Sequence, residues 1–330
     1  MRRNGLFLFG ITGMLLLIFD SKTALLGASE GVSLCIRTVI PTMFPFFVLS
    51  YLLTQSAERF SAAFLRKLCR LTQGTEGILL VGLLGGYPVG AKAVADRYRA
   101  GALSEVQAKR MLGFCSNCGP SFLFGIVGTA VGGPVTAALL WFIHMISAIG
   151  VSFLLPSPNM ESSVSEKQNI QKYGDAVTHS LQVLMRVCGW IILARTLVAF
   201  LDRWFLWALP DPLRVILVGI LELTNGCIIL REIPNEAVRL LIASGLVSFG
   251  GICVMMQTLS VTDGLGLGSY IPGKLLQTML SLALTGVFLL GSWTGLLVCL
   301  FSFMTVFWLI GKKDVAFSYK AVYNERNFTG

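Results

Sequence analysis

The sequence predicts an all-α membrane protein of about eight transmembrane helices plus two re-entrant hairpins, arranged as an inverted repeat with broken helices. Three observations carry this. Hydrophobic residues make up 55% of the chain and charged residues only 13%, roughly half the charged share of a soluble domain. The apolar residues fall in blocks near the ~20 residues that cross a bilayer's hydrocarbon core, rather than in amphipathic stripes. The Lys and Arg residues behind the net charge of +9 collect in short clusters between those blocks. Such clusters flank membrane spans; a nucleic-acid binder would carry a continuous patch, so no nucleic-acid partner is expected.

Taken in order, Met1-Arg2-Arg3 introduces an apolar block at 6–19 that reads as a retained first helix. A cleaved signal peptide is the alternative, with Gly27-Ala28-Ser29 as a poor cleavage site. Further blocks able to span lie at 33–55, 111–131, 134–155, 176–200, 237–261, 275–290 and 293–311. Two more, 77–91 and 214–230, are short and interrupted by Gly, Pro or polar residues, and read as re-entrant hairpins. Cysteines 35, 69, 115, 118, 188, 227, 253 and 299 sit mostly inside apolar blocks, where a thiol behaves as a small hydrophobe, so no disulfide framework is implied.

With the N-terminus inside and both short blocks re-entrant, the cytoplasmic side collects Arg66, Lys67, Arg70, Arg97, Lys109, Arg110, Lys274, Lys312 and Lys313 among others. The outside keeps Lys22, Arg203, Arg214, Arg231 and Arg239, which satisfies the positive-inside bias. Arg37, Arg186 and Arg195 lie within apolar blocks and are expected to snorkel or pair.

The two halves share an order of pieces. Ile78 to Leu84 is similar to Ile216 to Leu221, and Arg110-Met111-Leu112 to Arg239-Leu240-Leu241. The first half holds an odd number of spans, so the second enters from the opposite side. The division is an N-terminal helix and loop at 1–32, a first repeat at 33–155, a polar linker at 156–175, a second repeat at 176–292, and a final helix and tail at 293–330.

Each half breaks twice at a similar depth. Gly85-Gly86-Tyr87-Pro88-Val89-Gly90 interrupts the first hairpin about 12–16 Å from its start, at 1.5 Å per helical residue. The capping box Ser104-Glu105-Val106-Gln107 opens a helix that stops at Cys115-Ser116-Asn117-Cys118-Gly119-Pro120. Glu222-Leu223-Thr224-Asn225-Gly226 and Ser248-Phe249-Gly250-Gly251 repeat the pattern, with Gln257 beyond. The half-thickness of the hydrocarbon is about 15 Å, so all four breaks arrive near the midplane. Unwound backbone persists there only where protein, water or solute satisfies its polar groups.

The candidate solute-binding residues are therefore Gly86, Tyr87, Pro88, Gly90, Lys92, Ser116, Asn117, Gly119, Glu222, Thr224, Asn225, Gly226, Ser248, Gly250, Gly251 and Gln257. Helix N-termini at the breaks suit an anionic group, while carbonyls and Glu222 suit a cation. Plainer roles stand beside these. Gly82, Gly86 and Gly90 follow a small-xxx-small spacing that permits close helix packing. Asn117 and Asn225 could serve as interhelical hydrogen-bond glue, and Gln257 suits core bonding as well as solute contact.

Enzyme and metal signals fail on inspection. Gly27-Ala28-Ser29-Glu30-Gly31 has no strand before it, Gly85 to Lys92 lacks phosphate-loop spacing, and Cys115-x-x-Cys118 has no second ligand pair. No enzymatic activity, metal or cofactor is expected, apart from a coupling cation, a sodium ion or a proton. The expected partners are a small-molecule solute and the lipid bilayer; whether the chain forms an oligomer is left open.

The motifs Leu84 to Lys92, Phe114 to Phe122, Leu221 to Gly226, and Ser248 to Gly251 with Gln257 resemble, in the same order, the sporulation integral membrane proteins of the nucleoside-recognition Gate-domain superfamily. The resemblance implies transport of a compact aromatic dicarboxylate, dipicolinic acid, across the outer forespore membrane of a bacterium, with broken-helix N-termini facing the carboxylates. Glu222 would then pair with Lys92 or hold a coupling cation. A transporter of nucleoside-like metabolites and a non-transporting scaffold of a sporulation complex are the alternatives.

Overall fold

The structure is a computed structural model that describes residues 2–57, 60–156, 174–262, 264–291 and 294–295. The expected linker at 156–175 and final span at 293–311 fall almost wholly outside those residues. The described residues form helices and contain no strand.

Helix α1 (Arg2–Phe19) meets α2 (Ser21–Leu34) at Asp20, whose side chain accepts from Thr23 N as an N-cap. A π-helical segment, Cys35–Val39, leads into α3 (Ile40–Ser56). The loop expected before residue 33 is thus helical. Glycines on α2 explain its seat: a Cβ at Gly31 would stand 2.8 Å from Ile192 Cα, and one at Gly27 2.8 Å from Thr196 Cα. Only bare backbone lets α2 lie this close to its neighbour.

After α4 (Ala63–Cys69), two short helices, α5 (Glu76–Leu84) and α6 (Val89–Arg99), turn back on each other through Gly85 to Pro88. Helix α7 (Glu105–Cys115) opens with the expected capping box: Gln107 N donates to Ser104 Oγ and Ser104 N to Gln107 Oε1. It breaks at 116–119 and resumes as α8 (Pro120–Phe122), a π segment and α9 (Gly128–Val131). Helix α10 (Pro134–Leu154) closes the first half.

The second half repeats the order. Long α11 (Gly174–Trp204) is followed by a short pair, α12 (Asp211–Leu221) and α13 (Leu223–Ile229). A helix broken at Gly250 comes next, α14 (Glu236–Phe249) then α15 (Gly251–Val261), and α16 (Tyr270–Gly291) closes.

Both short pairs close by the same device. A Cβ at Gly90 would come within 2.6 Å of Gly82 Cα, and one at Gly226 within 2.2 Å of Gly219 Cα. The two partners, Gly82 and Gly219, occupy matching places in the segments whose sequences are alike.

Among the described residues, six helical stretches are long and apolar enough to cross a membrane: Ser21–Thr54, Glu105–Val131, Pro134–Leu154, Ala176–Trp204, Glu236–Val261 and Tyr270–Gly291. The count of eight is therefore lowered among the described residues. The apolar part of the first block, Gly10–Phe19, is shorter than a span requires, and the last block lies outside.

The surface fits a bilayer. Met185, Leu193, Leu25, Leu49, Leu275 and Met279 are all exposed, an arrangement that water would penalise and lipid does not. Inside, one apolar core joins the halves, packing Phe122, Leu123 and Ile143 with Leu223, Leu246 and Leu284.

Candidate functional site

The turns of both short pairs and the break of the first broken helix converge on one cavity, with α15 beside them. Its lining includes Gly86 and Tyr87 from the first turn, Cys118 and Gly119 from the first break, Glu222 and Thr224 from the second pair, and Gln257 from α15. The remaining wall is apolar, with Phe47 of α3 and Ile191 of α11. At ≈ 30 Å³ it has room for about two water molecules.

The local sequence explains the polar floor. Helix α12 ends when Glu222 adopts extended dihedrals, and α13 starts one residue later with Glu222 as its N-cap. The buried carboxylate accepts from Thr224 N at 3.0 Å, Asn225 N at 2.7 Å and Asn225 Nδ2 at 2.9 Å. Three donors compensate a charge that would otherwise be costly at this depth. Lys92, the proposed ion partner of Glu222, instead bonds Asp96 one turn along α6 at 2.9 Å.

The same turn faces a second cavity. Asn225, next after Thr224, lines a larger space of ≈ 270 Å³ bounded by α2, α11, α12 and α13. Apolar Val198, Val218, Ile228 and Ile229 form part of the wall, and Glu30, Arg195, Asp202, Arg214 and Glu232 form an ion-pair chain around it. Arg195, expected to snorkel or pair, pairs with Glu30. The turn Glu222 to Asn225 is thus a shared wall between a small inner space and a larger outer one.

The remaining candidates divide by role. Gly90 and Gly226 seal the helix pairs, a packing role that the small-residue spacing allows for Gly90. Gly250 and Gly251, with φ of +84° and +82°, make the left-handed turn of the second break; a Cβ on Gly250 would stand 3.2 Å from the Tyr87 ring. Pro88 forms the turn before α6 and is buried. Ser116 is buried, with no partner for its hydroxyl among the described residues.

Asn117 and Ser248 belong to a polar network that the sequence reading missed. Gln277 Nε2 donates to Asn117 Oδ1 at 2.9 Å, and Lys274 Nζ donates to Gln277 Oε1 at 2.6 Å. His144 accepts from Cys118 N at 3.0 Å through Nε2, and its Nδ1 lies 3.1 Å from Ser248 Oγ. Ser248 Oγ donates to Ser281 Oγ, and Ser281 Oγ to Ser147 Oγ. The closing helices α10 and α16 are thereby tied to both breaks.

Lys274 had been assigned to a cytoplasmic segment; it is buried on α16. The signal was available, because Lys274, Gln277, Ser281 and Thr285 recur at spacings of three and four, a polar stripe on an apolar helix.

With this geometry in view, the comparisons with known proteins are narrow. The chain is similar to a sporulation integral membrane protein. That relative, YlbJ of Bacillus subtilis (strain 168), is 28% identical over 72% of this chain and 70% of its own length. No family model and no solved structure matches.

Proposed function

We propose that this protein is a membrane transporter of a small polar solute, bound where the two short helix pairs and the two broken helices meet. The observation that carries the proposal is the shared cavity: residues from three separate breaks, with Gln257 from the helix that follows the fourth, line one space that apolar helices surround. Holding three interruptions at one place costs backbone hydrogen bonds, and a scaffold has no use for them. Among the described residues, three span-length helices lie in each half. An odd number per half supports an inverted repeat, with both short pairs re-entrant.

In the state described, the inner cavity admits water but no metabolite, so a solute enters only when its walls separate. The outer space beyond Asn225 is the approach, and the Glu222 to Asn225 turn is the barrier. Glu222 holds a coupling cation or orders the solute when its own helix releases it.

The similarity to a sporulation integral membrane protein supports a role in sporulation, and the motif resemblance to Gate-domain proteins makes an anionic metabolite, dipicolinic acid, the first candidate at a forespore membrane. Uptake of labelled pyridine-2,6-dicarboxylate by proteoliposomes tests this. Saturable uptake supports the reading, and uptake of uridine but not the dicarboxylate would favour a nucleoside-like solute.

A further inference from the structure

Lys274 is buried to 1% relative exposure in the first turn of α16. Its ammonium has two acceptors, Gln277 Oε1 at 2.6 Å and the Tyr87 hydroxyl at 3.2 Å, and both are neutral. Its other neighbours are two aromatic faces, with Nζ 5.1 Å from the centroid of Tyr87 and 5.9 Å from that of Tyr270. Among the described residues no carboxylate pairs with it. A buried ammonium held only by neutral groups is poorly compensated, because desolvation removes more than rings and neutral oxygens return.

Its position makes that imbalance useful. Tyr87 is a wall of the inner cavity and also the residue whose hydroxyl accepts a hydrogen bond from Lys274. One side chain therefore meets the ammonium and the solute space together. Tyr87 packs into the apolar core, and its hydroxyl also donates a long bond to Val247 O at 3.3 Å. Gly250, which presses on the ring, has no side chain to hold it. The Glu222 carboxylate in the same cavity is already bonded by three donors, so it does not claim the lysine.

We propose that Lys274 is the charge-selecting residue of this cavity and that its ligand is a carboxylate of the solute, reached when the Tyr87 side chain shifts. The assignment rests on the transport reading above and adds to it the residue that distinguishes an anion from a neutral molecule of the same shape. A purely bracing lysine, which ties α16 to Tyr87 and Asn117 through Gln277, would show no such discrimination.

The test compares binding of pyridine-2,6-dicarboxylate and of neutral pyridine-2,6-dicarboxamide to the detergent-purified full chain. Wild type should prefer the dicarboxylate. Lys274→Gln should lose about 30-fold or more of the dicarboxylate affinity, the usual consequence of truncating one partner of a desolvated charge pair, with the dicarboxamide little changed. Lys274→Arg should recover most of the preference. Equal weakening of both probes by Lys274→Gln, or a preference that survives it, overturns the assignment.

Should Lys274→Gln fail to fold, Tyr87→Phe keeps the charge and removes only the hydroxyl beside it. That variant should alter the dicarboxylate affinity selectively, and an equal change for both probes counts against the proposal. A wild-type protein that binds the dicarboxamide as well as the dicarboxylate also overturns it, while leaving transport of a polar solute intact. Wild type that binds neither overturns the anionic-solute reading and this assignment with it.

Discussion

Replacing Glu222 with Gln separates the two jobs the structure gives this carboxylate. Oε2 serves Asn225 N and Asn225 Nδ2, and Oε1 serves Thr224 N. A glutamine can place its one carbonyl oxygen on the Asn225 donors, but its amide then points hydrogens at Thr224 N. One bond to a charged acceptor is lost, worth about 2 kcal/mol, and two others fall to neutral strength, about 1 kcal/mol each. The total is roughly 4 kcal/mol, reduced where water in the ≈ 30 Å³ cavity meets the freed N–H. Glu222→Gln should therefore insert in the membrane but lose its monodisperse form in detergent at a clearly lower temperature than wild type. Below that temperature its transport should collapse, because the charge that holds a cation or orders the solute is gone. Undiminished heat resistance in Glu222→Gln would refute the capping argument. Normal transport in reconstituted vesicles would make the carboxylate structural only.

The glycine contacts give opposite outcomes at three positions. Gly90→Ala and Gly226→Ala drive a methyl onto backbone, at 1.8 Å from Cys115 O and 2.2 Å from Gly219 Cα, and each should lower stability by about 1–3 kcal/mol. Gly189→Ala, mid-helix in α11 with nothing within 4 Å, should raise it by about 0.5–1 kcal/mol; thermal stability in detergent reads all three. If both short pairs are re-entrant, cysteines placed at Arg70 and Arg97 are labelled from the same face of oriented vesicles, and labelling from opposite faces contradicts the topology. If the outer space is an aqueous approach, Ile228→Cys reacts with a charged thiol reagent, while Thr224→Cys reacts only after Asn225→Ala removes the barrier side chain; failure of Ile228→Cys to react would mean that lipid fills the space.

The helix breaks were legible because Gly, Pro and amide residues interrupt apolar runs where helix continuation would be cheapest. Gly85 to Pro88, Ser116 to Gly119, Glu222 and Gly250 all end helices in the structure. Two kinds of information were not. The glycine spacing suggested contacts along one helix face, whereas Gly82 and Gly90 meet across a turn, a distinction that only the hairpin geometry supplies. Lys274, at the edge of an apolar block, reads as a loop residue when taken alone; the polar stripe it forms with Gln277, Ser281 and Thr285 marks a buried face, but one dimension does not say what α16 faces. Lys92 shows the converse: its bond to Asp96 is an ordinary i,i+4 pair, readable from the sequence, yet a distant charge was preferred as its partner. The first span is displaced for a similar reason: Glu30 falls in the loop expected before residue 33, and its partner Arg195 lies far along the chain.

The central claim is that solute passes through the cavity between the two short helix pairs. Gln257, on its wall and 4% exposed, is the place to block it. An indole here overfills a space with room for about two water molecules. Uptake of labelled pyridine-2,6-dicarboxylate into proteoliposomes should be saturable with wild type and absent with Gln257→Trp, for protein reconstituted to the same density and orientation. Uptake that persists in the filled variant would mean that the solute crosses elsewhere or not through this protein, and would contradict the account.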